Sequence, residues 1–323
     1  MRHEELSCGK PRVLAVLGPT ASGKTALGVA LAQRLDGEVV SCDSMQIYEG
    51  LDIATAKPTQ EEMQGIPHHL ISVIPRTQRF SVAEYAQMAH ECIRDITARG
   101  KIPILVGGTG LYADTVLSGM QFEPDEGDPT IREQLGQRLT QEGAQALYDE
   151  LCRLDPEAAA KIHPNNSVRL LRALEVCLRT GDTFTAYKRR NAGHPAPYDS
   201  LVIGLDWDRE VLYDRINRRV DLMLEMGLLD EVRNARDPGM QTCAAAIGYK
   251  ELLPYLDGKA PLSDCVEQIK QESRRYAKRQ LTWFRRNAQI QWLRMSESDK
   301  ERKNLEKAEK IIAKMRKMWY NDY

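Results

Sequence analysis

A glycine-rich segment near the N-terminus carries the residue types that bind phosphate. It reads Gly18-Pro19-Thr20-Ala21-Ser22-Gly23-Lys24-Thr25 and matches the P-loop pattern G-x-x-x-x-G-K-[ST] at every fixed position. In such a loop, glycines let backbone N–H groups turn toward phosphate oxygens, and Lys24 adds a positive charge. The Thr25 hydroxyl is a suitable ligand for Mg²⁺. The segment predicts a phosphorylated ligand with Mg²⁺, although kinases, NTPases and transferases all use this loop.

Asp43 is a second candidate, because it directly follows a short apolar run at residues 38–42. An acid after a buried strand can hold Mg²⁺ through water, or it can act as a general base that takes a proton from a nucleophile. Aspartate also forms turns, which is the structural alternative. These roles stay open at this point.

Thr109 lies in the turn Gly107-Gly108-Thr109-Gly110. The glycines permit close approach of the backbone to a ligand, and the hydroxyl can bond either a phosphate or a substrate amine. A purely structural glycine turn is the alternative.

Arg215 and Arg219 stand four residues apart, hence on one helix face. They either grip a diphosphate with bidentate geometry or form surface salt bridges.

Short apolar runs alternate with helical stretches, which is typical of a parallel sheet covered by helices. The runs that predict strands are residues 13–17, 38–42, 69–74, 102–106 and 201–205. The clearest helix, residues 81–99, opens with a capping box of Ser81 and Glu84 and stops at Gly100. Further helices are predicted at residues 26–35, 209–226, 245–256, 261–287 and 296–323. Ligands of such sheets bind at the carboxyl ends of the strands, where the P-loop, Asp43 and Thr109 fall.

The middle of the chain has a different pattern, since residues 121–197 contain helical stretches and no convincing strand. We therefore predict an α/β fold in which a P-loop-type parallel sheet flanked by helices carries an inserted all-helical domain. Residues 1–120 and 198–323 would form the catalytic core, and residues 121–197 the helical insertion.

Composition narrows the class of protein. The 323 residues are 42% hydrophobic, which suffices for a sizeable core, and the formal net charge of −1 excludes a polycation. The seven cysteines are odd in number and contain no C-x-x-C pair, which argues against a disulfide framework or a zinc site. With no signal peptide or long apolar run in view, we expect a cytoplasmic monomer that does not bind membranes.

Basic and aromatic side chains interleave between residues 274 and 286, around Tyr276, Trp283 and Phe284. Such a tract suits RNA, because unstacked bases pack on rings and phosphates require cations. A helix with its aromatic side chains in the core is an equal alternative.

Taken together, the motifs resemble the bacterial tRNA dimethylallyltransferase family along nearly the whole chain. The motifs are ordered along the chain, and this order is far more specific than a P-loop alone. After the P-loop they are Asp43-Ser44-Met45-Gln46-Ile47-Tyr48, Leu51-Asp52-Ile53-Ala54-Thr55-Ala56-Lys57-Pro58, Pro67-His68-His69-Leu70, Val106-Gly107-Gly108-Thr109-Gly110-Leu111-Tyr112, His163-Pro164-Asn165, Ala173-Leu174-Glu175-Val176, Ile247-Gly248-Tyr249-Lys250 and Ala277-Lys278-Arg279-Gln280-Leu281-Thr282-Trp283-Phe284.

The resemblance implies transfer of a dimethylallyl group from dimethylallyl diphosphate to the exocyclic amine of the tRNA adenosine on the 3′ side of the anticodon. Residues 18–25 would bind the diphosphate with Mg²⁺ at Thr25. Asp43 would be the general base, Thr109 would contact the adenosine, and Arg219 would assist the diphosphate.

The resemblance also implies which residues contact the tRNA anticodon loop. Besides Asp43 and Thr109, they are Ser44, Met45, Gln46, Arg132, Val168, Arg169, Leu170, Leu171, Arg172, Ala245, Ala246, Ile247, Gly248, Tyr249 and Lys250. The chain departs from some members of the family at Ala245 and Lys250, where those members carry arginine.

Two other classes share the P-loop. A small-molecule kinase would bind ATP and place lid arginines over its γ-phosphate, and a nucleotide-dependent RNA binder would show affinity without turnover. The ordered motifs favour the prenyltransferase over both, while nucleotide binding (ATP) at the P-loop stays open.

Overall fold

The computed structural model describes residues 9–120, 128–191, 194–237, 239–240, 242–298 and 301–320. Within them, every strand pairing of the sheet is parallel, and the spatial order is β3-β2-β4-β1-β5-β6. The strands are β1 (Arg12–Leu17), β2 (Gly37–Cys42), β3 (His68–His69), β4 (Ile102–Gly107), β5 (Asp199–Asp206) and β6 (Gln291–Arg294). This confirms the predicted α/β class with a parallel sheet.

Helices follow most strands and form the rest of the regular structure. They are α1 (Lys24–Leu35), α2 (Gln60–Met63), α3 (Val82–Ala98), α4 (Gly110–Leu117), α5 (Pro129–Leu154), α6 (Pro156–Ala159), α7 (Ser167–Thr180), α8 (Phe184–Asn191), α9 (Arg209–Glu225), α10 (Leu228–Ala235), α11 (Leu253–Leu256), α12 (Leu262–Phe284) and α13 (Glu301–Tyr320). A short 3₁₀ helix spans Thr242–Ala245. The predicted capping box of Ser81 and Glu84 opens α3.

The register of the central strands places three functional loops side by side. Leu17 of β1 pairs with Gly107 of β4, and Cys42 of β2 pairs with the same Gly107. The three strands therefore end at one level of the sheet. The P-loop, Asp43 and Thr109 all begin there, as the sequence pattern predicts.

Three sequence predictions of secondary structure are wrong. The strand expected at residues 69–74 is only two residues long, because Leu70 and Ser72 have positive φ angles of 62° and 53°. Most of residues 245–256 are turns rather than a helix, since Gly248 has φ 95° and α11 begins only at Leu253. The edge strand β6 is missing from the prediction because its four residues carry too short a pattern.

The chain divides into two compact units, Met1–Leu117 with Pro197–Tyr323, and Ser118–Ala196. The smaller unit contains α5 to α8 around a core of its own, formed by Leu147, Leu151, Leu170, Ala173 and Leu174 among others. The first residues of the predicted insertion, 121–127, lie outside the described residues. Among the residues that are described, no helix combines the length and apolarity needed to cross a membrane.

Candidate active site

The P-loop has the backbone shape of an anion site. Ala21 and Gly23 both adopt left-handed conformations, with φ angles of 60° and 88°. Helix α1 starts immediately afterwards at Lys24 and has no side-chain cap at its N-terminus. Its first N–H groups therefore have no intrahelical acceptor and no capping acceptor, and the positive end of the helix dipole lies beside them. A phosphate group satisfies both needs.

Lys24 and Arg219 bring two positive charges to this loop. Lys24 Nζ donates to Pro19 O at 2.7 Å, and Arg219 Nη1 donates to Thr20 Oγ1 at 3.2 Å. Burial, and next the charge of Arg219, lower the pKa of Lys24 to about 8. Burial also lowers the pKa of Arg219. Within the described part of the chain, neither cation has a carboxylate within 4.0 Å, so the pair has a deficit of negative charge that an anion would fill.

Arg215 supports the backbone of the P-loop. Its Nε donates to Ala21 O at 2.9 Å, and its guanidinium lies 4.5 Å from the ring centroid of Trp207. Trp207 Nε1 donates to Ser22 O at 3.0 Å. The consecutive carbonyl groups of Ala21 and Ser22 are thus held by the side chains of Arg215 and Trp207. Arg215 thus holds the loop backbone and Arg219 contacts Thr20, and both arginines line a pocket with Lys24 and Thr25.

Asp43 uses one carboxylate oxygen to build a turn. Its Oδ1 accepts the backbone N–H of Met45 at 2.9 Å and of Gln46 at 3.3 Å. The turn-forming interpretation is therefore correct for one oxygen. Among the described residues no protein hydrogen bond engages Oδ2, which leaves an oxygen for a proton or a metal-bound water.

Thr109 is tied to the segment that follows Asp43. Its backbone N–H donates to Cys42 O at 3.1 Å. Its Oγ1 accepts the Ser44 N–H at 3.0 Å and lies 3.3 Å from Ser44 Oγ. The ends of β2 and β4 are therefore joined through Thr109 and Ser44, which brings two predicted site residues together.

A cavity of about 290 Å³ collects these groups. Lys24, Thr25, Asp43 and Arg219 line it together with apolar residues. Val220, Met223 and Ile269 were missed by the sequence analysis, which assigned the other two, Ala246 and Ile247, to tRNA contact. The apolar residues come from α9, the segment after Thr242–Ala245, and α12, so no local sequence pattern marks them. Polar and apolar linings in one cavity suit a ligand with an anionic head and a short hydrocarbon tail.

Glu231 is another residue whose role could not be read from the sequence. Its carboxylate accepts three successive backbone N–H groups, from Asp52 at 2.8 Å, Ile53 at 2.7 Å and Ala54 at 2.9 Å. Gln46 Nε2 holds the next turn through the carbonyls of Thr55 and Ala56, at 3.2 Å and 3.0 Å. The motif at residues 51–58 is thus pinned against the cavity that Ala54, Thr55 and Ala56 help to line.

The donors in the cavity fit Mg²⁺ bound together with a phosphorylated ligand. Thr25 and Asp43 line the same cavity, and the described residues contain no cluster of three His, Cys, Asp or Glu side chains. Mg²⁺ usually takes one or two protein oxygens, substrate phosphates and several waters rather than an all-protein cage.

The predicted tRNA-contacting residues of the helical unit differ in accessibility. Val168 is 81% exposed and Arg169 is exposed, whereas Leu170 is 0% exposed within the core of that unit. The side chain of Leu170 therefore cannot meet RNA, and Leu171 is half-buried. Arg132 and Arg172 share one acidic partner, Glu175.

The segment Ala245 to Lys250 of the larger unit is similarly divided. Ala245 and Lys250 are exposed, while Ile247 is half-buried and lines the cavity. Ala246 and Tyr249 are 2% and 4% exposed and pack into the core, and Gly248 is buried as well. Within this segment, only the two end residues and the backbone are therefore placed to contact tRNA directly.

Comparisons with known proteins identify the family. A family model described as IPP transferase matches residues 46–287. The tRNA dimethylallyltransferase of Bacillus velezensis is 49% identical over 95% of this chain and 98% of its own length. The crystal structure of a full-length tRNA isopentenylpyrophosphate transferase from Bacillus halodurans aligns with TM-score 0.71 and 46% identity, over 95% of this chain and 98% of that one. A eukaryotic dimethylallyltransferase acting on tRNA aligns with TM-score 0.77 and 30% identity, over 92% of this chain and 77% of that one.

Proposed function

The chain belongs to the IPP transferase family, and we propose that it transfers a dimethylallyl group from dimethylallyl diphosphate to an adenosine amine in tRNA. The observation that carries the proposal is a pair of cations, Lys24 and Arg219, that form no ion pair within 4.0 Å among the described residues and lie beside a P-loop in a cavity that also has an apolar lining. A diphosphate satisfies the charges, and a five-carbon prenyl group occupies the apolar part.

In the reaction, the exocyclic nitrogen of adenosine forms a bond to the allylic carbon, and the bond from that carbon to the diphosphate oxygen breaks. Negative charge grows on the departing diphosphate, so Lys24, Arg219 and the N–H groups at the start of α1 act where charge develops. Asp43 Oδ2 accepts the proton that the amine loses, while Oδ1 keeps the carboxylate oriented through the Met45 and Gln46 N–H groups. Thr109 contacts the adenosine from the adjacent strand end.

Thr25, and Asp43 through water, are the groups that would hold Mg²⁺ beside the diphosphate. When bound, the ion supplies positive charge that stabilises the leaving group.

The target adenosine in this proposal lies on the 3′ side of the anticodon. Its base must leave the anticodon stack to reach a recessed carbon, as for other enzymes that act on a base. The exposed residues Val168 and Arg169, the paired residues Arg132 and Arg172, and the ends of the segment Ala245 to Lys250 would contact the RNA. The proposal takes a monomer as the active unit. A cytoplasmic location fits a tRNA substrate.

The small-molecule kinase is not favoured, because the matching family and the relatives above are transferases of a prenyl group rather than kinases. The deciding experiment incubates the protein with an unmodified tRNA transcript, dimethylallyl diphosphate and Mg²⁺, and then analyses the nucleosides by mass spectrometry. We expect one adenosine to gain a dimethylallyl group, with release of one diphosphate. A reaction with ATP in place of the prenyl donor should give no ADP; ADP formation without prenylated adenosine would support the kinase.

A further inference from the structure

Gln280 is a buried amide that joins two loops of the active site. It lies on α12 and is 5% exposed. The backbone N–H of Thr20 in the P-loop donates to Gln280 Oε1 at 2.9 Å. Gln280 Nε2 donates to Gly108 O at 2.9 Å, in the loop of residues 107–110 that we call the Thr109 loop. One side chain thus spans the loop assigned to the prenyl donor and the loop assigned to the adenosine.

The two partners fix the orientation of the amide. Thr20 N–H can only donate and Gly108 C=O can only accept, so a flipped amide would place like groups against each other at both ends. Both contacts are to backbone, more than 170 residues from Gln280 along the chain. We call this pair of hydrogen bonds the Gln280 bridge. Because it contacts only backbone groups, it sets the spacing of the two loops independently of their side chains.

Each end of the bridge continues to a group with a proposed role. On the donor side, Thr20 Oγ1 accepts from Arg219. On the acceptor side, Gly108 directly precedes Thr109, and Tyr276 of the same helix lies near the Thr109 side chain. Tyr276, Gln280 and Trp283 are spaced four and three residues apart, so they form one face of α12.

The slot around Gln280 is tight. A Cβ atom built on Gly108 would lie 2.2 Å from Gln280 Nε2 and 3.3 Å from Gly18 O, so a side chain at this position would displace the Gln280 amide. A Cβ atom on Gly110 would lie 2.2 Å from Trp283 Cδ1, and Trp283 Nε1 is anchored to Asp114 Oδ2 at 2.8 Å. The Thr109 loop is thus packed against α12 on both sides of Thr109.

We propose that Gln280 is a positioning residue that holds the P-loop and the Thr109 loop at the separation needed for prenyl transfer. The proposal rests on the function given above. The transferred carbon is bound from one loop and the accepting nitrogen from the other, and a displacement of about 1 Å between reacting groups can cost about 10²-fold in rate. Gln280 also lines the cavity, and in this scheme it acts through its hydrogen bonds to Thr20 and Gly108.

The test compares Gln280→Leu, which removes both hydrogen bonds, with Gln268→Leu, the same change at an exposed position of α12. Single-turnover rates are measured with both substrates saturating, and the dissociation constant of each substrate is measured alone. We expect Gln280→Leu to lower the rate by about 10²-fold with each separate affinity within a few-fold of wild type, and Gln268→Leu to leave all values unchanged. A rate within threefold of wild type, or a rate that recovers fully at higher substrate concentration, would overturn the proposal.

Gln280→Glu gives a second test, which does not require the protein to accommodate leucine at position 280. A protonated carboxyl accepts from Thr20 N–H and donates to Gly108 O, as the amide does, whereas a carboxylate faces the Gly108 carbonyl with no proton. Burial raises the pKa of such a group. The ratio of variant to wild-type rate should therefore rise, by roughly tenfold, as the pH falls from 8 to 6. A ratio independent of pH would contradict the bridge.

The wild-type protein separates this proposal from the one on which it rests. Failure of the wild type to prenylate tRNA would overturn the proposed function and the role of Gln280 with it. An active wild type accompanied by an equally active Gln280→Leu would overturn the role of Gln280 alone.

Discussion

Arg132 and Glu175 form an ion pair between two helices of the smaller unit, with Arg132 Nε 2.6 Å from Glu175 Oε1. The other carboxylate oxygen, Oε2, accepts from Arg172 Nη1 at 3.1 Å. The Glu175 side chain is 3% exposed, whereas those of Arg132 and Arg172 are 43% and 35% exposed. One buried acid thus orients two arginines that reach the surface, and both arginines are predicted to contact tRNA.

Replacing Glu175 by glutamine should weaken tRNA binding, although it removes a negative charge. The change removes the negative charge that orients both guanidinium groups, and we expect a loss of about 1 kcal/mol in tRNA binding, or about fivefold in Kd. Filter binding or fluorescence anisotropy with a tRNA transcript measures it. Glu142→Gln is the matched control, because it removes an exposed acid of the same unit that pairs with Arg138. Tighter tRNA binding by both variants would show that only overall charge matters.

Arg169 provides a test of phosphate contact by the exposed start of α7. A side chain that neutralises one phosphate contributes slightly less than one to the slope of log K against log salt concentration. Arg169→Ala should therefore reduce that slope by about one and weaken binding of all tRNA substrates uniformly. Titrations from low to moderate salt give the slope. An unchanged slope would remove Arg169 from the RNA surface.

Local signals in the sequence predict much of the fold. The apolar runs before the P-loop, Asp43 and the Thr109 loop are buried parallel strands, and Ser81 with Glu84 caps α3 as expected. The strand at residues 69–74 fails because the chain turns at Leu70 and Ser72, whose positive φ angles no apolar pattern reveals. These conformations depend on tertiary contacts rather than on neighbours in sequence.

The candidate site was also predictable only where local sequence patterns determine it. The register that aligns Leu17, Gly107 and Cys42 follows from a parallel sheet, so the sequence could predict which loops meet. The roles of Glu231 and Gln280 could not be predicted, because each acts through backbone groups that are far away along the chain. In the sequence alone, Gln280 and Glu231 cannot be distinguished from solvent-exposed polar residues of a charged helix.

Lys24 should make binding of the prenyl donor dependent on pH. Its pKa is lowered to about 8 in the free protein, by burial first and then by Arg219. A bound diphosphate favours the protonated amine, so above pH 8 binding must take up a proton. Kd should therefore rise above pH 8, by up to about tenfold per pH unit, and stay level just below it.

Calorimetry in buffers of different ionisation enthalpy measures both the Kd and the proton uptake. Lys24→Ala should bind the donor more weakly at neutral pH, because a charge-assisted contact is lost, and excess ATP should not restore its turnover. The same variant should lose the pH dependence above 8. A wild-type Kd that stays constant between pH 7.5 and 9.5 would contradict the contact between Lys24 and the diphosphate.

Asp43→Asn tests the proposed general base. The asparagine carbonyl can still accept the Met45 and Gln46 N–H groups that Oδ1 accepts now, so the turn should persist while the basicity is lost. We expect turnover to fall by about 10²–10⁴-fold, with tRNA affinity nearly unchanged. The control is Asp36→Asn, which changes an exposed acid directly before the opposite end of β2, in a left-handed conformation that asparagine accepts. Steady-state kinetics across a Mg²⁺ series separates the two roles of Asp43, since partial rescue by high Mg²⁺ would indicate a metal-holding acid instead of a base. A variant within threefold of wild type would exclude both roles.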